Sequence, residues 1–100
     1  MVIFAADHIR HCYTNADGNI IYNLIRDEIV NGLPVELSFK GFDSVSSSFV
    51  NSAFIALLDD VSFDVIKRSL KITNSTRQIN EMIKKSFYFE VNERHKLIEV

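Results

Sequence analysis

The period of the apolar residues changes abruptly at Pro34, and this change limits what the chain can fold into. Before it, isoleucine and leucine side chains recur at helical spacing along one face of residues 20–29. After it, apolar and polar residues alternate from Val35 to Phe39, which predicts a strand with one apolar face. Asn31-Gly32 is typical of a helix end, because glycine accepts the left-handed conformation that closes a helix. The proline then prevents the helix from continuing.

Strand and helix patterns alternate along the rest of the chain. Apolar runs predict strands at residues 2–5 and 70–73. Helices are predicted from about Phe49 to Leu58, from Ser62 to Ser69, and after Asn74. Such alternation favours a parallel sheet that is covered by helices and connected by right-handed crossovers. The sequence therefore predicts one α/β domain with a mostly parallel or mixed sheet and helices packed on it.

Three further segments carry local predictions. The polar run Asn15–Asn19 is typical of a turn. Ser75 and Gln78 have the spacing of a capping box, so we expect Ser75 to cap the last helix. After Tyr88 the helical pattern weakens, and residues 88–100 are interpreted as a C-terminal extension with a candidate late strand.

Composition argues against several classes of protein. The chain has 100 residues, 47% hydrophobic and 24% charged, with 3 Gly and 1 Pro, as expected of one globular domain. Its formal net charge of -2 argues against a general polyanion binder, so nucleic acid is disfavoured as a partner. Neither a signal peptide nor an apolar run as long as a membrane helix is visible. We therefore expect a cytoplasmic protein with no membrane partner.

The residues that could carry chemistry do not form a recognised site. The glycine patterns that bind phosphates are absent. His8, His11 and Cys12 are close in sequence, but their spacing does not suit a metal site, and a single cysteine excludes an internal disulfide. No nucleophile, base and orienting group can be identified together. We therefore expect no enzymatic activity, no metal and no cofactor.

Three consecutive serines, Ser46, Ser47 and Ser48, lie between the loop that follows the 35–39 strand and a predicted helix. Any of them can cap that helix by accepting a hydrogen bond from a free backbone N–H. Alternatively, a serine hydroxyl at the positive end of the helix is a site for phosphorylation. Loops at the carboxyl ends of parallel strands often carry function, which makes this serine run the candidate site.

The segment 37–51, LSFKGFDSVSSSFVN, resembles the central part of a bacterial family. That part is a strand with an apolar-x-apolar-x-Gly end, a short loop, and Ser-Ser-Phe at the start of a helix. Asp17-Gly18-Asn19-Ile20 and Leu70–Asn74 are also similar, so the resemblance covers about residues 9–87. The family is the STAS-like domain of unknown function. The resemblance implies a single STAS-like domain over residues 1–100.

These domains are similar in turn to the STAS domains of anti-anti-sigma factors and sulfate-transporter tails. There, a strand-loop-helix element ends in Asp-Ser-Ser-Gly, and a partner kinase with a GHKL-type ATPase fold phosphorylates a serine and so weakens binding. The resemblance places Ser46 on the aspartate and Phe49 on the glycine. It places Ser47 on the phosphorylated serine and Ser48 on the second serine. It therefore implies a regulatory, partner-binding site at Ser46, Ser47 and Ser48.

Together these observations predict a non-enzymatic regulatory protein that acts by binding another protein, with a GHKL-type ATPase or kinase as one candidate partner. An alternative is a small inhibitor of the phage or mobile-element type that blocks a larger host complex. A small enzyme is a third, less favoured interpretation. A terminal strand within residues 88–100 could pair with a second copy, so a homodimer is a further expectation.

Overall fold

Three strands and four α-helices alternate along the part of the chain that the computed structural model describes, the backbone of residues 1–99 and the side chains of residues 1–94. The strands are β1 (Val2–Phe4), β2 (Val35–Ser38) and β3 (Leu70–Thr73). The helices are α1 (Asn15–Val30), α2 (Ser47–Ala53), α3 (Phe63–Ser69) and α4 (Arg77–Glu99). Two short 3₁₀ helices lie at Ala5–Asp7 and Ile55–Asp59.

The strands form one parallel sheet in the order β1-β2-β3. In its register Ile3 lies beside Leu37, and Leu37 lies beside Ile72. Both crossovers move in the same direction across the sheet, so right-handed connections place their helices on the same face. Burial agrees with this arrangement, since Ile3 and Leu37 are buried whereas Val2 and Lys71 are exposed. The predicted α/β domain with a parallel sheet is confirmed.

The core lies between the covered sheet face and the helices, and three phenylalanines form its centre. The ring centroids of Phe39, Phe49 and Phe54 lie 6.2, 6.4 and 6.2 Å apart in edge-to-face pairs. Edge-to-face contact is favourable because the ring edge is positive and the ring face negative. All three side chains are buried, as the apolar stripes of the strand and the helix predict.

Helix α1 begins earlier than predicted. Thr14 caps it, since its hydroxyl oxygen accepts a hydrogen bond of 3.1 Å from the N–H of Asp17. The run Asn15–Asn19 is therefore helical, and the predicted turn is wrong. Gly18 lies so close to α2 that a Cβ at this position would be 2.6 Å from the carbonyl oxygen of Phe49. The sequence alone does not distinguish a glycine that allows two helices to approach closely from a glycine that allows a turn, which is why the prediction failed here.

Helix α1 ends as predicted, at a glycine with positive φ. Gly32 has a φ of 72° and donates its N–H to the carbonyl of Ile29 at 2.9 Å. The N–H of Leu33 donates to the carbonyl of Glu28 at 2.8 Å. These two bonds form a Schellman motif, which satisfies carbonyls that the helix end would leave without partners.

The helix predicted from Phe49 to Leu58 is divided into two pieces. The α-helix ends at Ala53, and after Phe54 the chain continues as the 3₁₀ helix Ile55–Asp59. Phe54 and Leu57 are both fully buried, so the apolar stripe continues through the break. Apolar spacing alone therefore could not show where one helix type replaces the other.

Helix α4 continues to Glu99, so the late strand predicted within residues 88–100 is wrong for the described backbone, and Val100 lies outside it. The error has a visible cause, because Tyr88 and Phe89 are exposed and interrupt the apolar stripe. The homodimer stays a prediction, but the strand that suggested it is absent from the described residues. No helix in the described part of the chain combines the length and apolarity needed to cross a membrane.

Candidate functional site

The loops after the three strands meet at the carboxyl edge of the sheet, because all three strands point the same way. The serine run lies at this edge, where the loop 39–46 that follows β2 enters α2. The loop 39–46 is held on one side by the segment between β1 and α1. On the other side it is held by the start of α4.

The segment after β1 binds the end of the loop through both backbone and side chains. The N–H of Ser46 donates to the carbonyl of Cys12 at 3.0 Å. The hydroxyl of Ser46 donates to the carbonyl of Tyr13 at 2.7 Å. The Tyr13 hydroxyl lies 3.3 Å from the hydroxyl of Ser44. These contacts fix the chain immediately before α2.

The start of α4 binds the same loop through Gln78. Its side-chain oxygen accepts from the N–H of Val45 at 2.9 Å, and its side-chain nitrogen donates to the Val45 carbonyl at 3.0 Å. Gln78 thus pairs with Val45 as a neighbouring strand would. No local pattern indicates this contact, because the two residues are 33 positions apart.

Thr76, rather than Ser75, caps α4. The hydroxyl oxygen of Thr76 accepts from the N–H of Ile79 at 3.3 Å and donates to the carbonyl of Asp43 at 2.6 Å. The predicted capping box of Ser75 with Gln78 is therefore wrong. Its physical reason is the competing partner, since the Gln78 amide is already engaged by the loop 39–46.

Ser46 has the capping role that the sequence allowed for any of the three serines. Its hydroxyl oxygen accepts a hydrogen bond of 3.1 Å from the N–H of Phe49. The backbone of Ser46 is extended, as an N-cap requires. The same hydroxyl donates to Tyr13. Both its donor and its acceptor are in use, so Ser46 serves the structure of the loop.

Ser47 and Ser48 differ from Ser46 in the exposure of their side chains. They are the first two residues of α2, and both side chains are exposed. Neither hydroxyl makes a hydrogen bond with any group in the described part of the chain. The structure therefore brings all three predicted serines to one edge, where Ser46 is half-buried and hydrogen-bonded and Ser47 and Ser48 are exposed.

A groove between α4 and the rest of the helical layer passes beside Ser47. We call it the α4 groove; it has a volume of about 1580 Å³ and follows α4 from Glu81 to Glu93. Most of its walls are apolar, although Ser47 and Asn51 of α2 also line it. The apolar lining comes from the 3₁₀ helix, α3, β3 and α4, and includes Ile55, Ile66, Leu70, Ile72, Met82 and Phe87. No sequence pattern indicated this surface, because its lining residues are spread along the chain from Ser47 to Glu93.

Cys12 lies in the segment between β1 and α1, and its side chain is buried. Burial of Cys12 raises the pKa of its thiol to about 12, and the charge of Asp17 adds to this effect. Such a thiol stays protonated at neutral pH, so it is a poor nucleophile. Within the described residues, no three histidine, cysteine or carboxylate side chains come together as a metal site.

Comparison with known families assigns this arrangement to one of them. The model of the STAS-like domain of unknown function (DUF4325) matches residues 17–80, from the first turn of α1 to the first turn of α4. The chain belongs to this family. Neither the curated proteins nor the solved structures gave a significant match.

The match covers the serine run, whereas Cys12 and Tyr13, which bind Ser46, lie before the matched range. Its range includes the loop 39–46, the three serines and Gln78. Most of α4 lies beyond residue 80, so the outer wall of the α4 groove falls outside the matched range.

Proposed function

We propose that this STAS-like domain is a non-enzymatic regulatory protein that acts by binding another protein. The supporting observation is a pair of exposed, unbonded hydroxyls, Ser47 and Ser48, on a loop and helix that are fixed from two sides. A rigid edge with accessible groups suits recognition, because little conformational entropy is lost when a partner binds. The resemblance of the serine run to the regulatory serines of STAS domains supports the same function.

Ser47 is the proposed regulatory position. A phosphate there would add about -1.5 to -2 charges. Because the Ser47 hydroxyl has no contact to lose among the described residues, the fold should tolerate this group. A partner that covers Ser47 would have to desolvate the new charge, which weakens binding without unfolding the domain. By the same resemblance, the proposed partner is a GHKL-type ATPase or kinase.

A constitutive inhibitor of a larger complex is the second candidate. The α4 groove favours it, because an apolar surface of this size can bind a protein without any phosphorylation. The two candidates differ in one respect: only the regulatory protein needs a change at Ser47.

The test combines partner capture with substitutions at Ser47. We expect Ser47→Asp to weaken the captured complex while the melting temperature stays unchanged, and Ser47→Ala to bind constitutively. Asn23→Asp, at an exposed position of α1, is the control for a charge added elsewhere on the domain. Incubation with the captured kinase and ATP should add one phosphate by intact-mass measurement.

Two outcomes would contradict the proposal. If no phosphate appears on Ser46, Ser47 or Ser48, the switch is wrong and a constitutive binding protein remains. If no protein is captured and the purified chain instead turns over a small molecule, the non-enzymatic function is wrong.

A further inference from the structure

We propose that the α4 groove binds an amphipathic helix of a partner protein, and that acidic residues flank the apolar stripe of that helix. This inference rests on the proposed function and names the chemistry of the partner. The exposure, the dimensions and the charges of the groove support it.

The apolar floor of the groove is incompletely covered. Leu70 and Ile72 of β3 point to the same sheet face as Val35 and Leu37 of β2, according to the strand register. Val35 and Leu37 are fully buried, whereas Leu70 and Ile72 are only partly buried and line the groove. Covering this floor with another apolar surface is favourable, because it removes apolar area from water.

The dimensions suit a helix better than a small molecule. The volume of about 1580 Å³ exceeds the roughly 300–1000 Å³ that is typical of small-ligand sites. The groove follows α4 from Glu81 to Glu93, which is about 18 Å at the rise of an α-helix. Anchors at positions i, i+3 or i+4, and i+7 of a bound helix span about 10.5 Å, so such a helix fits within this length.

The charge left available at the groove is positive. Lys67, Lys84 and Lys85 line it, and none of them has an ion-pair partner among the described side chains. The ammonium of Lys67 lies 5.3 Å from the ring centroid of Phe63, at the groove wall. These lysines contrast with the formal net charge of -2 for the whole chain.

The acidic residues of the groove are already engaged. Glu81 pairs with Arg77 at 2.9 Å, and Glu90 pairs with Arg94 at 3.1 Å. Glu93 also has an interaction of its own. An acidic partner therefore meets lysines that have no ion pair with any described side chain, which favours both its approach and its orientation.

Helices α1, α2 and α3 of a second copy do not supply such a helix, and α4 of a second copy carries the same Lys84 and Lys85 that line the groove. The acidic helix α1 has its apolar stripe in the core, with Ile21, Ile25 and Ile29 fully buried. The shorter helices α2 and α3 also bury their apolar residues, including Phe49 and Ile66. The geometry therefore points to a different protein as the source of the helix.

Two synthetic peptides test this inference directly on the full chain. They share one helical leucine stripe, which is flanked by glutamates in the first peptide and by lysines in the second. By fluorescence anisotropy at low salt, we expect the glutamate peptide to bind about tenfold more tightly. The difference should shrink at high salt, because screening weakens interactions between exposed charges.

Charge reversal on α4 should invert the preference. In the double variant Lys84→Glu/Lys85→Glu, the lysine peptide should become the tighter ligand. Lys71→Glu is the control for position, because Lys71 lies on β3 between two groove residues but on the opposite sheet face. This control should keep the wild-type preference, and all three lysines are exposed, so the variants should fold.

Ser47 links the groove to the proposed regulation. Because Ser47 lines the groove, Ser47→Asp should weaken binding of the glutamate peptide several-fold and leave the lysine peptide unaffected or tighter. A uniform loss for both peptides would contradict an electrostatic link between the two surfaces.

The outcomes separate the groove from the proposed function. Absence of binding, equal affinities, or an equal effect of Lys71→Glu would overturn the groove inference. A dimer in sedimentation that the glutamate peptide dissociates would show that a second copy is the occupant, and would also overturn it. If the peptides fail while the captured partner still depends on Ser47, only the groove inference is wrong. If the peptides behave as expected while the captured partner ignores Ser47, only the switch is wrong.

Discussion

Helices α1 and α4 both pack against α2, but they do so in different ways. Helix α1 approaches closely at Gly18, where an added Cβ would lie 2.6 Å from the Phe49 carbonyl oxygen and 2.7 Å from the Cβ of Ser52. The Ser52 hydroxyl also donates to the side chain of Asn15 at 3.0 Å. Ile21, Ile25 and Ile29 of α1 are fully buried, so little of the α1–α2 surface remains for another molecule.

Helix α4 packs against the rest of the domain mainly at two positions, Ile79 near its beginning and Phe87 in its middle. Ile79 and Phe87 are buried, and the Phe87 ring stacks on Phe63 with centroids 5.0 Å apart. Between these anchors, Met82 and Ile83 are only partly buried and line the α4 groove. The tight contact with α1 thus supports the fold, whereas the looser contact with α4 leaves apolar surface for binding.

The largest expected effect comes from the centre of the tightly packed region. Phe54→Ala removes one of the three edge-to-face rings and should lower the free energy of unfolding by about 3–5 kcal/mol. Phe89→Ala, at a position that is 64% exposed on α4, should change it by less than about 0.5 kcal/mol. Urea unfolding measures both. Similar losses of unfolding free energy in the two variants would contradict the difference in packing between the α1–α2 contact and α4.

The close approach of α1 to α2 predicts a loss from adding a single methyl group. Gly18→Ala gains roughly 1 kcal/mol of helix propensity, but overpacking against backbone costs about 1–3 kcal/mol. We expect a net loss of up to about 2 kcal/mol in thermal or urea unfolding. Asn23→Ala, at an exposed position of α1, should be neutral or slightly stabilising. A stabilised Gly18→Ala would show that the helices can move apart at no cost.

The two kinds of serine at the start of α2 should also differ in stability. Ser46→Ala removes the cap and should cost about 0.5–2 kcal/mol. Ser48→Ala should cost less than about 0.5 kcal/mol, because its exposed hydroxyl makes no contact with the described residues. Equal losses in urea unfolding would mean that the cap is shared along the run.

The smallest expected effect is a pH dependence of the free energy of unfolding, which arises where α1 meets the end of the 3₁₀ helix Ile55–Asp59. The Tyr22 hydroxyl donates to Asp60 at 2.7 Å, and Arg26 donates at 3.2 Å; these bonds lower the pKa of the Asp60 carboxyl. A pKa that is lower in the folded state favours folding above the ordinary aspartate value of about 3.9. This stabilisation is lost as the pH falls through the lowered pKa.

Urea unfolding at a series of acidic pH values checks this expectation. The free energy of unfolding of Asp60→Asn should fall less steeply with decreasing pH than that of the natural chain, because the titrating carboxyl is gone. Tyr22→Phe removes the largest cause of the lowered pKa and should give part of the same change. An unchanged acid profile in both variants would show that the junction does not contribute.

The fold was predictable where burial imposes a period on the sequence. The alternation of 35–39 and the stripe within 20–29 indicate a strand and a helix whose buried faces the structure confirms. Prediction failed where one residue type serves two purposes. Gly18 suggested a turn but permits helix contact, and the exposed Tyr88 and Phe89 suggested the end of a helix that continues.

The position of the candidate site was predictable, but its internal roles were not. A serine run between a parallel strand and a helix must lie at the carboxyl edge of the sheet. Which serine becomes the cap depends on the carbonyls of Cys12 and Tyr13, which come from a distant loop. The pairing of Gln78 with Val45 is equally non-local, so local spacing suggested a capping box instead.

The buried thiol of Cys12, next to the serine run, can report how often this region opens. Cys12 is the only cysteine of the chain, and its carbonyl accepts the hydrogen bond from the Ser46 backbone. A thiol reagent can modify it only when the segment between β1 and α1 moves away, since the side chain is buried. The rate of modification under native conditions thus follows the opening free energy of the segment that holds the cap. A partner that binds here and holds the segment closed would slow the reaction, and the natural chain needs no engineered cysteine for this measurement.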